Sequence, residues 1–202
     1  MENVMIDLET WATVPTAAIL SIGAVAFDQH AGLGPEFYVV VRKDVKIPLT
    51  NTHFTTDYET VEWWKKQSPE AQKVLAACRD HKASVPLTHA LGMLAGWLLQ
   101  FGPEVKVWGN GAEFDNAILH HAYAVGGCPT PWQYSNSRCY RTLRALAQHY
   151  MATTYPPLVG TAHHALDDAK HQARCAIQLL KALRGDSEFQ WPTESKAVPK
   201  SI

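Results

Sequence analysis

The chain has 202 residues, of which 47% are hydrophobic and 18% are charged, and its formal net charge is −1 at pH 7. This length and apolar content predict one folded domain and exclude a disordered chain. The near-neutral charge excludes the strongly basic composition typical of proteins that contact many phosphates of a long duplex, so any phosphate must be held locally. We expect residues 1–184 to form the domain and residues 185–202, which are poor in apolar residues, to form a weakly ordered tail.

The cysteines and the apolar segments indicate the cellular compartment of the protein. Cys78, Cys128, Cys139 and Cys175 form no CxxC pair, which favours reduced thiols in a cytoplasmic protein. No apolar run approaches the roughly 20 residues of a membrane span, and we expect no signal peptide before the first apolar segment. The sequence therefore predicts a soluble cytoplasmic protein without a membrane partner.

The start of the chain predicts three strands. Residues 3–9 are an apolar run broken by two acids, residues 17–27 are rich in Ile and Val, and residues 36–42 are β-branched and aromatic. Gly32 and Gly34 predict a turn before the third strand. Short connections between successive strands favour an antiparallel meander.

The rest of the chain is predicted to be mainly helical. Helices are predicted at residues 60–67, 86–101, 113–125, 138–150 and 165–183, with a further short helix after Ser68. Residues 104–108 and 132–134 are predicted as short strands, and residues 151–162 as a loop over or beside the site. This order predicts an α/β fold in which a mixed five-stranded sheet, with its first three strands antiparallel, is flanked by helices.

Four carboxylates lie at positions in these elements from which their side chains can meet at one point. Asp7 and Glu9 lie two apart on a strand, so their side chains share one face, where two carboxylates repel unless a cation or proton lies between them. Asp115 follows a strand and a glycine-rich turn, in the first turn of its helix, where an acid also suits the helix dipole. Asp168 lies in the first turn of the last helix, beside a predicted core stripe from Ala169 to Leu183.

Such a set of hard oxygen ligands suits two Mg²⁺ or Mn²⁺ ions about 4 Å apart, the arrangement used for in-line displacement at phosphorus. The site also needs a base for the attacking water. His163, just before the last helix, is the candidate because a histidine accepts a proton near neutral pH. Its neighbour His164 is the alternative from the residues alone, and a zinc site is a further alternative.

Together these motifs resemble the DEDDh (DnaQ-like) 3′→5′ exonucleases. The resemblance rests on Asp-x-Glu-Thr at residues 7–10, Phe-Asp at residues 114–115, and His-x-Ala-x-x-Asp-Ala at residues 163–169. In that family the histidine lies five residues before the last aspartate, which selects His163. The segment at residues 59–69 is similar to the phage and prophage branch related to the RNase AS-type exoribonucleases.

The resemblance implies a ribonuclease H-like fold and two Mg²⁺ or Mn²⁺ ions per active site, held by Asp7, Glu9, Asp115 and Asp168, with His163 as the base. It implies release of nucleoside 5′-monophosphates from a single-stranded 3′ end, with a slight preference for RNA from the subgroup. The alternatives are a DNA-specific 3′→5′ exonuclease, a small-nucleotide or dinucleotide phosphodiesterase, and a non-catalytic nucleic-acid-binding module. Several family members are homodimers, so a homodimer is a further expectation.

The substrate contacts are also implied by resemblance. Thr10 and Trp11 would pack against the terminal nucleotide, with Leu8 and Phe114 nearby, and Asn110 would contact the substrate. An aromatic ring beside a base contributes by stacking without reading sequence. Core packing is the alternative for Trp11.

Two further groups of side chains are candidates for nucleic-acid contacts. Trp63 and Trp64 are adjacent on one predicted helix, so one faces the core and the other is a candidate stacking or dimer surface. Arg138, Arg141 and Arg144 recur at three-residue spacing along another predicted helix. They form either a phosphate-contacting face or a solvated basic face.

Overall fold

A computed structural model of the protein describes residues 1–43, 54–150 and 155–184, and the predicted tail lies outside this part. The strands are β1 (Asn3–Thr10), β2 (Ile19–Asp28), β3 (Gly32–Val40), β4 (Lys106–Gly109) and β5 (Ser137–Cys139). The α-helices are α1 (Tyr58–Trp64), α2 (Lys73–Ala77), α3 (Leu87–Leu98), α4 (Asp115–Val125), α5 (Tyr140–Tyr150) and α6 (Ala165–Arg184). None of these helices is long and apolar enough to span a membrane.

The strands form one mixed sheet in the order β3-β2-β1-β4-β5. β1 pairs antiparallel with β2 and parallel with β4, β2 pairs antiparallel with β3, and β4 pairs parallel with β5. The predicted α/β fold, with a five-stranded mixed sheet whose first three strands are antiparallel, is confirmed. β1 is the central strand, so its carboxyl end is surrounded by the other elements.

The two faces of the sheet are buried by different helices. Val4, Ile6 and Leu8 of β1 pack in a core with residues of α3 and α4, whereas Met5 packs in a second core with residues of α5 and α6. Because side chains alternate along a strand, Asp7 and Glu9 share the face of Met5. The two acids of β1 therefore point toward the side of the sheet that α6 covers.

The predicted turn at residues 32–35 is wrong, because Gly32 already begins β3 and pairs with Asp28. The turn lies at residues 29–31. There the Asp28 carboxylate accepts hydrogen bonds from the backbone N–H groups of His30 at 2.8 Å and Ala31 at 3.0 Å. An aspartate that bonds the backbone two and three residues ahead makes a turn without needing proline.

The predicted strand at residues 132–134 is also wrong. The chain instead forms a 3₁₀ turn at Tyr134–Asn136 and then β5, and the Trp132 indole donates a hydrogen bond to Ser137 Oγ at 3.1 Å. Arg138 consequently lies on β5 and not on a helix. In α6 the core stripe ends before Leu183, whose surface is 50% exposed.

Candidate active site

A cleft of about 620 Å³ opens at the carboxyl ends of β1 and β4. Its floor is the end of β1, and its walls come from α1, α5, α6 and the loop before α6. The lining includes Asp7, Leu8, Glu9, Thr10, Asn110, Phe114, His163 and Asp168. The carboxyl edge of parallel strands is where α/β proteins commonly bind ligands.

Three acids form a compact cluster on the cleft floor. Asp7, Glu9 and Asp168 each offer a carboxylate oxygen, and these oxygens lie within 4.8 Å of one another. Gln172, one helical turn beyond Asp168, donates a hydrogen bond from Nε2 to Asp7 Oδ1 at 2.7 Å. The strand and the helix thus converge on one point.

Asp115, at the start of α4, lies outside this three-acid cluster and does not line the cleft, but its charge acts on both Asp7 and Glu9. It is only 2% exposed, and its Oδ1 accepts a hydrogen bond from the Leu8 backbone N–H at 3.1 Å. Its Oδ2 is buried and has no hydrogen-bond partner within the described residues. A buried carboxylate oxygen without a protein donor is costly unless a cation binds it, so this atom fits a metal ligand.

The electrostatics of the cluster favour the binding of positive charge. Burial, followed by the negative charges of Asp168 and Asp115, raises the pKa of Glu9 to about 8. Burial raises the pKa of Asp115 to about 7, and burial with the neighbouring acids raises the pKa of Asp7 well above its ordinary value. Burial also raises the pKa of Asp168 above its ordinary value. These carboxylates do not all ionise near neutral pH unless divalent cations compensate them.

Thermal stability should therefore depend on metal more strongly at higher pH. A carboxyl with a raised pKa in the folded protein favours folding below its ordinary pKa, and this contribution is lost as pH rises through about 7 to 8. Metal requires the ionised carboxylates. Differential scanning fluorimetry with EDTA or Mn²⁺ should show a larger Mn²⁺-induced rise in melting temperature at about pH 8.5 than at about pH 5.5. Equal rises at the two pH values would contradict this.

A glycine on β2 allows α6 to reach the cluster. Gly23 is paired with Asp7 across the sheet, and a Cβ at Gly23 would lie 2.2 Å from both the Ala165 carbonyl carbon and the Leu166 nitrogen. The helix start therefore rests directly on the strand backbone. Sequence reasoning missed this role, although a glycine inside an Ile- and Val-rich strand is the signal of a close backbone approach.

The two adjacent histidines, His163 and His164, have different surroundings in the structure. His163 has a left-handed backbone (φ +62), lines the cleft, and packs its ring edge-on against Trp63 with 4.8 Å between ring centroids. Its backbone N–H donates to Asp168 Oδ2 at 2.7 Å. His164 instead stacks on Tyr38 at 4.5 Å between centroids and does not line the cleft. A left-handed non-glycine residue costs about 1–3 kcal/mol, which the Asp168 hydrogen bond helps to offset.

Four of the five predicted substrate contacts lie in the cleft, and Trp11 does not. Leu8, Thr10, Asn110 and Phe114 line it. Trp11 is 3% exposed and packs in the larger core, because the pairing register of β1 shifts after Glu9 and the chain turns away from the cleft. This matches the core-packing alternative for Trp11.

The adjacent tryptophans also take different roles. Trp63 lines the cleft and is 41% exposed, whereas Trp64 is buried and its indole donates to the Thr10 carbonyl at 3.0 Å. Trp63 is therefore the tryptophan whose ring is accessible in the cleft. The hydrogen bond from Trp64 to Thr10 connects α1 to the end of β1 and thereby positions Trp63 beside the acids.

Several cleft residues were not predicted from the sequence. They are Thr13, Asp57, Glu59 and Thr60 on the α1 side, and Tyr140, His171 and Gln172 on the side of α5 and α6. His171 and Gln172 follow Asp168 by three and four residues, so helical spacing alone places them on its face. The residues around α1 carry no comparable signal, since only the fold brings that helix to the end of β1.

Three carboxylates clustered at the carboxyl end of the central strand of a mixed sheet, a buried fourth nearby and a histidine directly before the last helix match the pattern of the DEDDh exonucleases. The chain belongs to the family of the 3′-5′ exoribonuclease Rv2179c-like domain, whose model matches residues 2–180. The family is one of nucleases, hydrolases of phosphodiester bonds, in a class that generally uses divalent metal ions.

A curated relative and solved structures agree with this assignment. An exodeoxyribonuclease of Enterobacteria phage T4 is 34% identical over 89 residues, which is 42% of this chain and 39% of that protein. E. coli ExoI, in a complex with single-stranded DNA, has a TM-score of 0.64 at 13% identity over 91% of this chain and 41% of its own. The nuclease domain of 3′hExo, a DEDDh member bound to rAMP, has a TM-score of 0.59 at 14% identity over 94% of both chains. The chain thus spans about two fifths of the T4 protein and of ExoI, and the likeness to the solved structures is one of fold.

Proposed function

We propose that this protein is a two-metal 3′→5′ exonuclease that removes nucleoside 5′-monophosphates from single-stranded 3′ ends, with RNA preferred over DNA. The observation that carries this proposal is the cluster of Asp7, Glu9 and Asp168 together with the unpartnered Oδ2 of Asp115. A cytoplasmic location, a homodimer and the division of the chain at residue 184 remain predictions.

The carboxylates have the roles of ligands in this proposal. Asp7, Glu9, Asp115 and Asp168 would hold two Mg²⁺ or Mn²⁺ ions, which suit hard oxygen ligands. When bound, such ions lower the pKa of a water and neutralise the charge that develops on the leaving oxygen. Gln172 keeps the Asp7 carboxylate oriented through its 2.7 Å hydrogen bond.

His163 is the proton acceptor for the attacking water. The preceding loop and the hydrogen bond from its backbone to Asp168 place its ring at the cleft, beside the metal-binding oxygens. The edge-on contact with Trp63 restricts the ring on its other side. A base on a restrained loop is positioned before the substrate arrives, which lowers the entropic cost of the reaction.

The terminal nucleoside would lie between apolar walls. Phe114 and Trp63 supply these walls, Leu8 contributes to the floor with its side chain packed in the core, and Thr10 and Asn110 supply the polar atoms of the same cleft. Base stacking on such side chains contributes about 1–3 kcal/mol and tolerates any sequence. The cleft thus suits removal of successive nucleotides without strong base selection.

The preference for RNA rests on the family. The family model names an exoribonuclease and covers most of the chain, whereas the T4 relative is an exodeoxyribonuclease that aligns over 42% of it. DNA is therefore the second candidate substrate.

A direct test compares kcat/KM for RNA and DNA strands of one sequence, and for a dinucleotide, with Mg²⁺ or Mn²⁺. Faster hydrolysis of DNA would reverse the preference, and no hydrolysis of any of the three would defeat the proposal.

The choice of His163 as base gives a prediction with a matched control. His163→Ala should lower kcat by about 10²–10⁴-fold, the contribution of a positioned general base. His164→Ala should leave kcat within a few-fold, because His164 packs on Tyr38 outside the cleft. Single-turnover rates of the two variants on the same labelled strand make the comparison. Equal losses in both variants would remove His163 from this role.

A further inference from the structure

The structure gives three different environments to the arginines at positions 138, 141 and 144. Arg138 lies on β5 and donates to the carbonyls of Ser135 and Ser137 at 2.8 and 3.0 Å. Arg141 donates to the Asn110 carbonyl at 2.8 Å. Arg144 is the one of the three that lines the cleft. The single basic face predicted from their spacing is therefore not formed.

Arg144 is placed to receive an anion. Among the described residues it is the sole arginine or lysine that lines the cleft, and it forms no salt bridge there. Its guanidinium lies over the ring of Tyr155, 5.4 Å from the centroid, which orients the planar group, and the residue is exposed. A guanidinium presents paired donors that match phosphate oxygens, and it is easier to desolvate than an ammonium.

The α1 side of the cleft carries negative charge instead. Asp57 and Glu59 lie there with Thr13 and Thr60, and the Asp57 carboxylate accepts hydrogen bonds from the N–H and hydroxyl of Thr60. This acidic wall repels phosphate, but it suits a nucleoside that ends in hydroxyl groups. The 3′-terminal nucleoside has no further phosphate, so it belongs on this side.

The polarity of the cleft then determines where the rest of the strand goes. With the terminal nucleoside against Trp63 and the acidic residues on the α1 side, and the scissile phosphate at the carboxylates, the upstream strand would leave past α5. We propose that Arg144 binds the phosphate immediately 5′ of the scissile phosphate and thereby sets the affinity for the strand. This inference deepens the exonuclease function proposed above and rests on it.

A single uncharged linkage tests this contact. The substrate is a short single strand with a 5′ label, either all-phosphodiester or with one methylphosphonate replacing the phosphate directly upstream of the terminal linkage. The rate of release of the first nucleotide is measured for the protein and for Arg144→Gln, Arg144→Lys and Arg79→Gln. Arg79 is exposed, lies outside the cleft and provides the same change of charge.

For the unaltered protein we expect the methylphosphonate to lower kcat/KM about tenfold, mainly through KM. Arg144→Gln should show the same loss on the normal strand and little further loss on the modified one, which is the signature of a direct coupling. Arg144→Lys should restore part of the affinity, and Arg79→Gln should behave as the unaltered protein. The slope of log KM against log salt should become shallower by about 0.7 in Arg144→Gln, as for one phosphate contact on a single strand.

Two results would overturn the inference. One is an additive loss, in which the methylphosphonate lowers kcat/KM of Arg144→Gln as much as it does for the unaltered protein. The other is an unchanged KM in Arg144→Gln. If the unaltered protein releases no nucleotide from the normal strand, the exonuclease function itself fails, so the two failures are distinguishable.

Discussion

Asp7→Asn is expected to abolish nuclease activity while leaving the protein folded. Asp7 lies on β1, and a carboxylate oxygen of Asp7 is within 4.8 Å of carboxylate oxygens of Glu9 and Asp168. The substitution keeps the shape and a carbonyl oxygen for the Gln172 hydrogen bond, but it removes the charge that a divalent cation needs. Loss of several kcal/mol of transition-state stabilisation corresponds to a fall in kcat of roughly 10³-fold or more.

The stability of this variant separates a site effect from misfolding. Without metal, Asp7→Asn should melt at a temperature equal to or above that of the unaltered protein at about pH 8, because one of several mutually repelling buried acids is gone. Added Mn²⁺ should stabilise it far less than the unaltered protein. Asp80→Asn, at an exposed acid outside the cleft, is the control and should keep full activity. If Asp7→Asn keeps more than about a tenth of the activity, Asp7 is not an essential ligand.

Gly23→Ala should have the second largest effect, although Gly23 touches no substrate. Its added methyl group would lie 2.2 Å from the backbone at Ala165 and Leu166, so the start of α6 must move away from the sheet. That displacement carries His163 and Asp168 away from Asp7. A misplacement of about 1 Å typically costs about 10²-fold in rate, and such overpacking costs about 1–3 kcal/mol of stability.

Gly96→Ala is the matched control for this change. Gly96 is exposed on α3, and a Cβ there meets no atom within 4 Å. Replacing a helical glycine by alanine should raise the free energy of unfolding by about 0.5–1 kcal/mol and leave kcat unchanged. Urea unfolding and initial rates measure both quantities in both variants. Full activity in Gly23→Ala would show that the contact between β2 and α6 does not position the site.

Local patterns predicted the sheet and most of the acid cluster because those features depend on short-range geometry. The two-residue spacing of Asp7 and Glu9 places both on one face of any strand. The position of Asp168 in the first turn of α6 follows from the apolar periodicity of that helix. The choice between His163 and His164 needed the family spacing and stays a prediction; His163 lines the cleft with a left-handed backbone that no propensity predicts.

The features that sequence reasoning missed depend on contacts between distant segments. The role of Gly23 is set by a helix more than a hundred residues later in the chain. Trp11 turns into the core because the strand pairing shifts register after Glu9, which neither residue reveals by itself. Arg138 was assigned to a helix because β5 is only three residues long and pairs with β4 from another part of the chain.

The most direct test of this account is the fate of a 5′-labelled single strand incubated with the protein in Mn²⁺ and, in parallel, in EDTA. In Mn²⁺ the label should move through a ladder of progressively shorter strands while unlabelled nucleoside 5′-monophosphates accumulate. In EDTA the strand should stay intact, because Asp7, Glu9, Asp115 and Asp168 then repel one another and the phosphate. Early release of a labelled mononucleotide, or shortening that continues in EDTA, would contradict the metal-dependent 3′→5′ mechanism.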